Sequence, residues 1–167
     1  AAAAAGGTTT ILDFVGPEPG QSPLETLAIW QERAAKAAVD YGFHMTVSWW
    51  SEAFSAAMAT LVNDHGIASF KFFLAYKGRL MLPDEDLIAG FRRCRELGAL
   101  VQVHAENGEL IAYLQQKVLA DGITSPLGHA LSRPSQCEGE ATLRAITMAE
   151  VLDVPLESLF REPPVTT

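Results

Sequence analysis

Cysteine is nearly absent: Cys94 and Cys137 stand alone in 167 residues, with no metal-ligand spacing between them. That excludes a disulfide-stapled scaffold and a thiolate metal cage, and it predicts a reducing, cytoplasmic setting. Basic residues are also scarce, with 12 Lys and Arg against 20 Asp and Glu, a formal net charge of -8. No Lys/Arg cluster interrupts this balance, which argues against electrostatic binding to nucleic acid or an anionic membrane and for a small-molecule or protein partner. No apolar run has the length of a transmembrane helix, and the opening Ala1 to Ala5 lacks the basic start of a signal peptide. With no initiator methionine, the sequence is expected to begin upstream of Ala1. Internal repeats and low-complexity linkers are missing too.

What is present is a chain 49% hydrophobic and 19% charged, enough to bury a core. Strand-like and helix-like runs alternate along it, the order of a parallel α/β fold. Residues 8–15 read as a strand that ends at Gly16-Pro17-Glu18-Pro19-Gly20. A helix is predicted over 23–39, where Ser22 and Glu25 make a capping-box pattern. The second strand is predicted over 41–50, a helix over 52–64 ending at His65-Gly66, and the third strand over 69–77. A helix from Pro83-Asp84-Glu85 to Leu97-Gly98 and a fourth strand over 99–107 follow. Residues 110–120 and 139–152 read as helices on either side of a turn-rich stretch, 122–134. These units form one domain over 1–156, with residues 157–167 expected to be a divergent, unstructured tail.

Within the third strand Lys71 interrupts the apolar run Ser69-Phe70-Lys71-Phe72-Phe73-Leu74-Ala75-Tyr76-Lys77. Strand alternation puts it with Ser69, Phe73 and Ala75 on one face, and Phe70, Phe72, Leu74 and Tyr76 on the other. Burial of an ammonium disfavours its charged form, so a desolvated Lys71 becomes a nucleophile or base. The ordinary alternative, and the commoner one for lysine, is a stem lying along apolar surface with its head in water.

His104 ends the apolar core of the fourth strand. In parallel α/β folds the carboxyl ends of strands are where chemistry collects. His44 reads more simply as a packed, hydrogen-bonded histidine than as a ligand, His65 as a helix-end residue, and His129 as a loop residue beside Ser132 and Arg133. Trp49 and Trp50 read as packing residues, and Asp84, Glu85 and Asp86 as helix-start charges. Four strand-helix units are half of an eight-fold barrel. Such a half leaves open sheet edges, so the isolated chain is expected to be poorly folded or oligomeric.

The stretches GGTTTILDFV, VSWWS, NDHGIASFKFFLAYKG, RCRELGALVQVHAENGELIA, GITSPLGHALSRP and EGEATLRAI, in that order over residues 4–156, resemble the dihydropyrimidinase and D-hydantoinase family of cyclic amidohydrolases. Several motifs at family-like spacing are far more specific than a single one. The resemblance implies a (β/α)8 barrel, here barrel strands 2 to 5, and hydrolysis of the ring amide of dihydropyrimidines or hydantoins with two divalent metal ions, usually zinc. It implies a cyclic amide or imide substrate and a tetramer-like homo-oligomer. By its motifs Lys71 would be carbamylated to bridge both metals, His104 would ligate the second, and Tyr76 would bind substrate and steady the oxyanion. Glu106 and Asn107 could orient such a ligand or close the strand end.

The family's His-x-His pair belongs before the GGTT segment, and a further histidine and the catalytic aspartate belong after Val154-Pro155-Leu156, where this chain reads Glu157-Ser158-Leu159-Phe160-Arg161-Glu162. Of the implied metal-site residues, Lys71 and His104 are present. Two other readings follow: a non-catalytic interaction protein like the collapsin response mediator relatives, which generally lack the metal lysine, or an inactive truncated product. The loops over 16–22 and 75–82, with Leu74, Leu80, Met81 and Leu82 as an apolar wall, are expected to gate the substrate's ring substituent.

Overall fold

Alternating β-branched and helix-forming runs resolve, in a computed structural model that describes residues 2–155, into four parallel strands and the helices between them. After a single turn, α1 (Ala2–Ala5), come β1 (Thr10–Val15), α2 (Pro23–Ala34), β2 (Asp40–Val47), α3 (Glu52–His65) and β3 (Ser69–Phe73). Then follow α4 (Asp84–Leu97), β4 (Leu100–His104), α5 (Gly108–Ala120), α6 (Leu127–Leu131) and α7 (Ser135–Val151). The sheet order is β1-β2-β3-β4, every pair parallel. This is the winding of a partial (β/α)8 barrel, four consecutive units long.

Alternation along the strands divides the sheet into two unlike faces. Val15, Met45, Val47, Phe70 and Phe72 are wholly buried against Leu27, Phe54, Met58, Leu61, Leu87 and Phe91 of the helices. The register Thr46↔Lys71↔Gln102 and Phe73↔His104 puts these side chains on the opposite face, which is mostly half-buried. Helix α4 comes close enough to the sheet that a Cβ on Gly90 would sit 2.3 Å from Phe72 Cε1. A side chain there would have to displace a fully buried ring.

Local capping explains several boundaries. Ser22 Oγ accepts from Glu25 N at 3.3 Å, Ser51 Oγ from Phe54 N at 3.1 Å, and Asn107 Oδ1 from Leu110 N at 3.0 Å. Helices α3 and α4 end at Gly66 and Gly98, as the sequence predicts. Asp84, Glu85 and Asp86 occupy the first turn of α4.

Other boundaries differ from the sequence reading. Helix α2 stops at Ala34 rather than 39, because Ala35 to Ala38 are exposed and bury nothing that would extend it. Strand β2 stops at Val47 rather than 50; Trp49 and Trp50 turn back so that their rings lie 5.3 and 6.1 Å from Phe54. Helix α7 starts four residues earlier than expected, directly after Pro134, and the turn-rich stretch contains α6. Helix α5 likewise starts at Gly108, where its Asn107 cap sets it. The expected tail over 157–167 lies outside the described residues.

Edge strand β1 leaves Ile11, Leu12 and Phe14 exposed at 42, 55 and 43%. These are apolar side chains at an open sheet edge.

Candidate active site

Strand β3 delivers Lys71 to the half-buried face, with Nζ donating to Val103 O at 3.0 Å. Burial pushes the Lys71 ammonium below its ordinary value, since a desolvated cation is disfavoured. The group is therefore neither a plain snorkelling lysine nor a fully sealed one. Its Nζ lies 5.8 Å from the centre of the Phe73 ring, which stacks at 5.8 Å on the His104 ring at the end of β4.

Tyr76 is where alternation misleads. Counted along an unbroken strand, it belongs on the Phe70 and Phe72 face. Strand β3 ends at Phe73, however, and Tyr76 takes a left-handed backbone, φ 65°. Arg79 N and Leu80 N both donate to Tyr76 O at 3.0 Å, closing a tight turn that holds this conformation. The turn swings the Tyr76 ring across the strand end, to 6.0 Å from Phe73 and 4.9 Å from His104. Its hydroxyl makes no hydrogen bond among the described residues. Lys71 on β3, Tyr76 in the turn that follows it and His104 at the end of β4 thus share one side of the sheet.

A cavity of about 520 Å³ opens there, lined by Tyr76, His104, Glu106, His129, Arg133 and Glu138. His104 Nε2 lies 2.7 Å from Glu106 Oε2, and Glu106 Oε1 lies 3.5 Å from Arg133 Nε. Arg133 also donates to His129 Nδ1 at 3.1 Å. Glu106 stands beside His104 as the sequence suggests for a group that could orient it, while the contact from Glu106 to Arg133 has no local trace in the sequence. Asn107 caps α5 and donates to Glu140 Oε2 at 2.6 Å, tying the end of β4 to α7.

The other histidines have ordinary partners. His44 Nδ1 lies 2.5 Å from Ser69 Oγ and 3.2 Å from Gln102 Nε2, so it is a hydrogen-bonded residue of the sheet face. His65 ends α3, and His129 sits in α6 rather than in a loop. The expected apolar gate is only partly present: Leu74 and Leu82 are buried in the core, while Leu80 and Met81 are half-buried. Leu74 is held inward because its N–H still pairs with His104 O and Leu82 N returns to Phe73 O, both at 3.0 Å.

Lys71 and His104 fit a metal site in kind, one a readily neutral amine and the other an imidazole. Their number is short of a cage: among the described residues no three His, Cys, Asp or Glu side chains gather as one would require.

A parallel strand-helix barrel segment with its reactive groups at the strands' carboxyl ends is the class this geometry defines. No family model matches the chain. It is 50% identical over 156 residues to the dihydropyrimidinase of Rattus norvegicus, covering 93% of this chain and 30% of that protein. It is 45% identical over 156 residues to the D-hydantoinase of Rhizobium radiobacter, covering 93% and 34%. The solved dihydropyrimidinase of Brevibacillus agri superposes with a TM-score of 0.88 at 48% identity, over 91% of this chain and 33% of that one. Over that stretch the chain is similar to dihydropyrimidinases and D-hydantoinases, and it spans about a third of the length of these relatives.

Proposed function

We propose that the chain carries part of the active site of a metal-dependent hydrolase that opens the ring amide of dihydropyrimidines or hydantoins. The observation that carries this reading is the convergence of Lys71, Tyr76 and His104 on one side of the sheet, in a chain whose relatives bear those two names. Lys71, His104 and Tyr76 are the site residues.

A partly desolvated Lys71 gives up its proton readily, and the neutral amine adds carbon dioxide to form an N-carboxylate and release a proton. That carboxylate and the His104 imidazole would be the groups of this chain that hold divalent ions, zinc in the reading proposed. Such ions, if bound there, would supply Lewis acidity toward the ring carbonyl and toward a coordinated water. Tyr76, whose ring lies beside His104, would donate from its hydroxyl to the oxygen on which negative charge develops. The donors that the resemblance adds to Lys71 and His104 would come from outside residues 2–155. By itself the segment is proposed to be incomplete.

The substrate is a small cyclic amide or imide, and the assembly a homo-oligomer. Among the described residues no helix is long and apolar enough to cross a membrane, and both cysteines are buried free thiols. A cytoplasmic site of action accords with the latter.

The test is ring opening of dihydrouracil and of hydantoin by the protein expressed from the whole reading frame that encodes this chain, supplied with zinc and bicarbonate. Turnover that follows bound zinc supports the reading. A fully metallated protein without turnover on either ring favours the non-catalytic interaction protein.

A further inference from the structure

We propose that Glu106 and Arg133 are positioning residues that hold His104 in one tautomer and one orientation, an inference that rests on the proposed role of His104. An ionised carboxylate can only accept, so at 2.7 Å from Glu106 Oε2 it is His104 Nε2 that carries the hydrogen. The lone pair of the neutral ring is then on Nδ1. A histidine that must present a lone pair gains from such a partner, because the wrong tautomer has none to offer at that atom.

Glu106 cannot set the ring alone, since its own carboxylate must be fixed. Its second oxygen faces Arg133 Nε at 3.5 Å, and both side chains are mostly buried, 19 and 17% exposed. Arg133 is fixed in turn from the far side. His129 Nδ1 accepts from its guanidinium at 3.1 Å, and Ser132, itself 1% exposed, donates to His129 O at 3.0 Å. The stretch between α6 and α7 thereby reaches the end of β4 through two side chains. Phe73 and Tyr76 bear on the His104 ring at 5.8 and 4.9 Å, which restricts its rotation. Residues far apart in sequence are thus spent on orienting one imidazole.

The test is nitrogen-15 NMR of the histidine side chains in the protein from the whole reading frame, prepared without metal at alkaline pH. The His104 signals are assigned by their loss in His104→Asn. The unsubstituted protein is expected to show His104 with a pyrrole-type Nε2 and a pyridine-type Nδ1. In Glu106→Ala both nitrogens move toward the average of the two tautomers while the His44 signals stay in place. Arg133→Met shifts them partway, and Arg133→Lys restores most of the preference; this pair carries the test if Glu106→Ala does not fold. Activity of Glu106→Ala falls roughly 10–100-fold, mainly in kcat. A His104 that is protonated on Nδ1, or whose tautomer is unchanged in Glu106→Ala or in Arg133→Met, overturns the proposal. The tautomer is read without metal or turnover, so its failure is distinguishable from failure of the ring-opening assay.

Discussion

The Tyr76 ring lies 4.9 Å from the His104 ring, inclined at 45°, although the alternation of β3 directs Tyr76 to the opposite face. The left-handed turn at Tyr76 makes this contact, and a non-glycine residue at φ 65° is uncommon. A backbone held in a sparsely populated conformation beside the reactive groups is a pattern associated with functional sites. What the turn achieves is a tyrosine that lines the cavity rather than packing among the helices.

Tyr76→Phe removes that hydroxyl and nothing that packs. Turnover on dihydrouracil is expected to fall roughly 10²–10³-fold, the usual scale for losing one oxyanion donor. Melting should change little, because the hydroxyl has no partner among the described residues. Steady-state kinetics beside a thermal melt separates the two effects, and a large loss of stability with retained kcat would contradict the assignment.

Gly90→Ala introduces a methyl group 2.3 Å from the Phe72 ring. The expected cost is about 1–3 kcal/mol in urea unfolding. Phe72→Leu by itself is also destabilising. Combined, the two substitutions are expected to cost less than their sum, since the smaller side chain frees the space that the methyl needs.

Burial pushes the Cys94 thiol up to about 12, from an ordinary value of 9.0. The folded state therefore keeps a proton that the unfolded state loses between those values. By linkage, this contribution to stability is fully present below about pH 9 and is lost as pH rises through the folded value. Cys94 should resist a thiol reagent at pH 8 until the protein is denatured, and Cys94→Ala should flatten the fall in stability at alkaline pH.

Much of this fold is legible in the sequence because its signals are local. Ser22 marks a helix start through its side-chain oxygen, Gly66 and Gly98 mark helix ends through their left-handed backbone, and the apolar cores of the strands follow from period-2 burial. Lys71 stands out as a charge in an apolar run, and His104 as the polar end of another. What escaped was decided at a distance. Leu82 looks like a loop residue until the hydrogen bond from Leu82 N to Phe73 O pulls the loop's base inward. The face of Tyr76 depends on one backbone angle, and the Glu106–Arg133 contact joins residues that no local pattern relates.

Lys71 carries the central claim, and carbon-13 NMR of the whole-frame protein in labelled bicarbonate and zinc tests it most directly. The account predicts a carbamate carbon resonance that disappears in Lys71→Arg, whose guanidinium stays protonated and cannot add carbon dioxide. A zinc-loaded protein with no such resonance, or one whose resonance persists in Lys71→Arg, would contradict it.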